Sequence, residues 1–326
     1  MSEKFMEKKL QRITNGEYQP DDFLIADAKD GDMAFGVHSA SSGQACNPMK
    51  TRADYLNAMV EMTQSGLVDV MLMSASSAEE LHSRGVFSDS PVTPAVRMND
   101  TTDIWSARGS CYKDSPSRPF ATADVETVKS TCNLGLYSMT FSNQLEADVL
   151  SLQSYRDFRR EMRPHGFTHF LEIFNPAFDI GIPASELGFY INDMIIKAVS
   201  GVNSVDAPRF LKIQFNGAES MLELSQYDPK NLVVGILGGS KGTTRDTFEL
   251  VHQAEQAGAR VALFGRKINL AEAPLELVRL MRQTITMNMT PEQAVKEYHQ
   301  YLEAQQIAPK LSLADDLQVT DAALMQ

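Results

Sequence analysis

The chain has 326 residues, 43% of them apolar and 22% charged, and a net charge of −12; one large core suits this length, and a barrel of about 250 residues plus extensions accounts for it without requiring a second domain. The acidic balance and the lack of any run of Lys and Arg exclude a nucleic-acid surface, where backbone phosphates must be met by clustered cations. Residues 1–15 are charged, without the apolar stretch of a signal peptide, and no window of about 18 apolar residues offers a membrane span, so no membrane contact and a cytoplasmic protein are expected.

Short apolar runs alternate with helical patterns along almost the whole chain, the sign of βαβ units around a parallel, buried sheet. After an N-terminal helix, strands are predicted at residues 23–28, 67–73, 93–98, 134–141, 167–174, 209–215, 232–237 and 260–264. Eight parallel strands with intervening helices predict a (β/α)8 TIM barrel, a single domain over residues 1–326 with its core at about 23–285 and a helical extension at 286–326. Helix starts agree with that register: Thr51 with Asp54, Ser77 with Glu80 and Thr243 with Asp246 each pair a hydroxyl N-cap with an acid one turn in, and Thr290-Pro291-Glu292-Gln293 puts proline at the first helical position. Helices are predicted at 249–257, 270–285 and 291–304; the acidic tail from Leu311 is weakly patterned and is expected at the surface or in a subunit contact.

Two connections are longer than turns: residues 29–49 after the first strand, rich in Gly and Ser, and residues 105–122 after the third, with Gly109, Pro116 and Pro119. Both leave the carboxyl-terminal face of a barrel, where active sites sit; each is either a lid or binding loop, or a plain surface insertion. Cys46, Cys111 and Cys132 are odd in number and widely spaced, so free thiols are expected. The six histidines form no H-x-H or H-E-x-x-H group, and neither a metal nor an organic cofactor is expected.

The strongest chemical feature lies on the last three strands. Lys212 stands in the apolar run Phe210-Leu211-Lys212-Ile213. Burial penalises an ammonium and favours the neutral amine, a nucleophile toward carbonyl groups; the alternatives are a snorkelling lysine, or one paired with an acid inside the barrel. Strand seven then ends in Gly238-Gly239-Ser240-Lys241, and strand eight in Gly265-Arg266-Lys267. Glycines let a backbone approach a ligand and aim N–H groups at it, and barrel phosphate sites often use these two loops. A lone Gly-Gly reads equally as a tight turn; two such loops at successive strand ends, right after the lysine strand, favour phosphate.

The order Lys212-x-x-Phe215-x-Gly217, Gly238-Gly239-Ser240-Lys241, and Ala257-Gly258-Ala259 leading to Gly265-Arg266 resembles the class I aldolase superfamily, which includes archaeal-type fructose-bisphosphate, tagatose-bisphosphate and deoxyribose-phosphate aldolases. The resemblance runs over about residues 23–285 and is most specific in its last third. It implies a Schiff-base lysine at Lys212, a phosphate cradle at Gly239, Ser240, Gly265 and Arg266, a polar residue near the reacting carbons at Asp27, and a proton-transfer carboxylate at Glu172. Tyr137 lies near the place of the acid tyrosine of the fructose-bisphosphate branch, one residue out of register with an inward-facing position. Lys267 stands where the family has a small amide, and Arg97 where it has lysine at the second substrate end. Read from its own strand, Glu172 is either a proton carrier or the partner of Lys212 or Arg97 in a structural salt bridge. His169 is more simply a structural histidine than a pocket one, Trp105 either lines a pocket or anchors its loop, and the strand methionines fill the core.

The expected function is a class I aldolase-like lyase making or breaking a C–C bond in a phosphorylated ketose, with a small phosphorylated sugar as partner and, by analogy, a homo-oligomer. An isomerase, epimerase or lyase with lysine as a plain base, and a non-catalytic sugar-phosphate-binding barrel, are the alternatives, because this architecture hosts many chemistries.

Overall fold

A computed structural model describes residues 4–42, 48–104 and 108–325. Cys46 and Trp105 lie outside the described residues. Eight parallel strands close into a barrel: β1 (Leu24–Lys29), β2 (Val70–Met73), β3 (Thr93–Arg97), β4 (Leu134–Thr140), β5 (Thr168–Phe174), β6 (Leu211–Ile213), β7 (Gly235–Leu237) and β8 (Val261–Phe264). Each pairs with its neighbours in sequence, and β8 closes on β1 through Leu24↔Val261 to Asp27↔Phe264. All eight predicted strands are present. Several are shorter than predicted because ladder pairing extends over only part of the apolar run.

Alternation along the strands sorts the apolar residues into two cores. Leu24, Ala26 and Ala28 of β1, Val70 and Leu72 of β2, Leu134 and Leu136 of β4, and Phe170 of β5 face the barrel interior, whereas Ile25, Met71, Met139, Leu171 and Ile236 face the surrounding helices. Helix α1 (Phe5–Thr14) places Met6, Leu10 and Ile13 on one stripe that joins the interior cluster. It is held at the amino-terminal end of the barrel by Phe5 N–H donating to Pro91 O and by Lys9 Nζ at 2.8 Å from Asp69. That end is therefore plugged, and the open end is the carboxyl-terminal one.

Three of the four expected N-caps form reciprocal boxes, at Thr51 with Asp54, Thr243 with Asp246 and Thr290 with Gln293. They open helices α2 (Arg52–Ser65), α4 (Thr244–Gln256) and α6 (Pro291–Ala304), with α3 (Leu145–Met162) and α5 (Pro274–Ile285) between them in chain order. The fourth does not form: Ser77 lies inside the helix Ala75–Ser83, whose N-cap is Ser74. The helix expected from residue 270 divides into a short turn, Arg266–Asn269, and α5. The tail does not stand off the surface. Asp246 accepts from Thr320 N at 2.7 Å and Asp321 N at 3.2 Å, Thr244 N donates to Asp316 Oδ1, and Leu324 is buried, so the tail straps the start of α4.

The long connections differ in role. Residues 30–42 form two short helical turns over the open end of the barrel. The described part of the second connection folds back through a small antiparallel pairing of Asp100 with Phe120, and Ser117 N donates to Ser142 Oγ beyond the end of β4. No helix among the described residues is long and apolar enough to cross a membrane.

Candidate active site

A cavity of about 310 Å3 opens at the carboxyl-terminal end of the barrel. Its floor is set by register: Ser138, Glu172 and Lys212 are paired across β4, β5 and β6, which puts three inward side chains in one layer. Lys212 is 5% exposed and Glu172 1%. Lys212 Nζ lies 2.6 Å from Glu172 Oε1, and Ser138 Oγ donates to Glu172 Oε2 at 2.7 Å. The lysine is thus paired with an acid inside the barrel, and Glu172 bridges both candidate partners, since Arg97 Nη2 is 3.5 Å from its second oxygen.

Arg97 is the hub of the β3 side. Nη1 donates to Asp30 at 2.7 Å, Nη2 to Asp100 at 2.9 Å, and Nε to Asn99 O at 3.1 Å. Burial works against the guanidinium, but Asp100, Asp30 and Glu172 outweigh it and raise its pKa further. Burial likewise pushes the Asp30 carboxyl up, and the charges of Arg97 and Lys212 more than reverse this. Asp100, more affected by burial than by Arg97, is pushed up to about 6.

Opposite this network the wall is glycine backbone. Gly238, Gly239, Gly265 and Arg266 line the pocket beside Leu237 and Leu263. Gly239 has φ +62°, a left-handed conformation that suits glycine, and a Cβ on Gly265 would stand 3.0 Å from Ala28 O. The Arg266 side chain is exposed at the rim and has no acidic partner among the described residues. Asp30, Gly31, Ala34, Phe35 and Ser42 of the first long connection complete the wall, whereas the described part of the second one does not reach it.

Four expected site residues lie elsewhere. Asp27 is on the outer face of β1, in register with Met71 and Phe264, fully buried and 3.4 Å from Lys29. Tyr137 faces outward from β4 and stacks on Phe158 of α3 at 4.6 Å between ring centroids. In each case alternation decides: neighbouring positions point to opposite sides of the wall. Ser240 is exposed and outside the pocket lining, and Lys241 turns away to Glu272 at 3.7 Å. Lys267 also leaves the pocket; its buried ammonium donates to Lys241 O at 3.1 Å, and burial lowers its pKa to about 8. His169 is structural, hydrogen-bonded to Tyr155 at 2.8 Å behind β5.

Asp30, Ser138 and Asp100 were not singled out from the sequence. Parity alone identifies the first two, because Asp30 continues the inward set Ala26, Ala28, and Ser138 is the inward neighbour of Tyr137. Asp100 lies beyond the end of β3, where no period applies.

No protein-family model matches the chain, and no curated protein matches it in sequence. Solved structures do. A fructose-bisphosphate aldolase from Slackia heliotrinireducens superposes with TM-score 0.65 at 15% identity, covering 91% of this chain and 90% of that one. A Schiff-base-forming fructose-1,6-bisphosphate aldolase gives 0.60 at 14%, and an archaeal fructose 1,6-bisphosphate aldolase 0.58 at 13%, each covering 86% of this chain and 99% of the other. The chain shares the (β/α)8 barrel fold of these aldolases.

Proposed function

We propose that the protein is a class I aldolase-like lyase that cleaves or forms a C–C bond in a phosphorylated ketose through an imine on Lys212. The observation that carries this reading is the Lys212–Glu172 pair, 2.6 Å apart, at the floor of a pocket whose rim is Gly238, Gly239, Gly265 and Arg266. An archaeal fructose-1,6-bisphosphate aldolase with the same barrel holds its catalytic lysine covalently bound to a carbinolamine intermediate, which supports the analogy.

Glu172 first takes a proton from the Lys212 ammonium, and the free amine adds to the ketone to give a carbinolamine. Protonated Glu172 returns its proton to the carbinolamine hydroxyl, which leaves as water, and an iminium remains. The bond between the carbons alpha and beta to the iminium carbon then breaks. Its electron pair forms an enamine, and Glu172 takes the proton of the departing carbon's hydroxyl as the aldehyde forms. Protonation of the enamine and hydrolysis release the ketone and restore the pair. Ser138 and Arg97 hold Glu172 in place throughout, and the glycine backbone with Arg266 anchors the phosphate. Asp27 and Tyr137 have no part in this scheme.

Aldehyde release from a panel of ketose phosphates, measured with a chelator present, is the test. The wild type is expected to turn over at least one of them, and Lys212→Met to lose activity by about four orders of magnitude or more. Turnover retained by Lys212→Met contradicts the reading, and turnover that the chelator abolishes points to a metal-dependent route instead.

A further inference from the structure

We propose that this pocket accepts a ketose carrying a single phosphate and discriminates against a second one at the far end. The proposal rests on the phosphate reading of the two glycine loops above. Around the barrel β3 lies four strands from β7, so Arg97 stands across the pocket from Gly238 and Gly239, with Lys212 and Glu172 on the strands between. A substrate anchored by phosphate at the glycine loops and reacting at Lys212 therefore directs its other end toward β3.

A second phosphate would need a cation there, and the one present is already engaged. Arg97 is met by Asp30 at 2.7 Å, Asp100 at 2.9 Å and Glu172 at 3.5 Å, and its Nε–H is donated to Asn99 O. Two cations, Arg97 and Lys212, face three carboxylates, so this half of the pocket is net negative when all are ionised. Asp30, whose carboxyl burial pushes up but Arg97 and Lys212 pull below the usual range, keeps its charge at neutral pH. Like-charge juxtaposition in a desolvated site repels a dianion. The glycine end is the reverse: Arg266 has no acidic partner among the described residues, and the backbone around it carries no charge. The residues outside the described ranges contain no Lys or Arg, so none of them supplies a second cation. Between the two ends, just beyond β5 and β6, the pocket wall carries the uncharged amides Asn175 and Gln214.

Calorimetric binding of hexitol 1-phosphate and hexitol 1,6-bisphosphate to the whole protein tests this. Neither compound has a carbonyl, so neither forms an imine, and the ranking is read independently of catalysis. The monophosphate is expected to bind about tenfold more tightly or better, and Arg266→Gln to weaken it by a similar factor. Asp100→Asn, which removes one of the three negative charges while keeping the shape, is expected to narrow the preference. Equal or tighter binding of the bisphosphate by the wild type overturns the proposal, as does a preference unchanged in Asp100→Asn. Binding of neither compound overturns it together with the phosphate reading. The expected ranking without any ketose turnover removes the aldolase reading alone.

Discussion

Glu172 has a cation on either side, Lys212 at 2.6 Å and Arg97 at 3.5 Å, and a hydroxyl donor in Ser138. Its position makes it the acid nearest the amine and so the proposed proton carrier, and the same contacts make it the counter-charge that lets two buried cations coexist. Glu172→Gln is expected to lower kcat by about 10²–10⁴-fold, and to lower thermal stability, because a buried pair broken on one side leaves charge uncompensated. Steady-state kinetics and a melting curve check both parts; an unchanged kcat contradicts the role. Lys212 was legible in the sequence because a lysine in an apolar run has few uses. Asp27 was misassigned because face depends on parity, and parity depends on which residue of the run first turns inward. Once Ala26 and Ala28 are known to face the interior, Asp30 follows and Asp27 is excluded.

Between β5 and α3 the packing is aromatic and holds a titratable group outside the pocket and outside the proposed chemistry. His169 is fully buried against Tyr155 and Phe158, and burial, with Arg159 nearby, lowers its pKa to about 3 from 6.5. A depressed folded-state pKa means the contribution to stability is fully present above 6.5 and is lost as pH falls toward 3. Urea unfolding is therefore expected to show a steeper loss of stability from pH 6.5 to 4 in the wild type than in His169→Gln, which can still bond Tyr155 but does not titrate. Parallel curves contradict this. Elements with periodic apolar faces and capping boxes, such as α4 and α6, were legible. The docking of the tail was not, because it depends on hydrogen bonds to Asp246 and Thr244 from a segment some 70 residues away, with no period to reveal them.

Over the whole molecule, the barrel separates stability from chemistry by its two ends. The alternation of eight apolar runs with helical patterns made the architecture legible, and the glycine loops marked the end that carries the pocket. The plug was only partly legible: a helix was expected at the amino terminus, but its insertion under the barrel depends on contacts with strands far along the chain. Leu10→Ala is expected to cost about 2–5 kcal/mol in chemical denaturation and to leave kcat unchanged, since Leu10 lies at the end opposite Lys212; an equally large fall in kcat contradicts that separation. The central claim, an imine on Lys212, is tested most directly by borohydride reduction in the presence of ketose phosphates or dihydroxyacetone phosphate, followed by peptide mass analysis. The account predicts a reduced adduct on Lys212 that is absent from Lys212→Met. Turnover of the same compounds with Lys212 unmodified across the panel would contradict it.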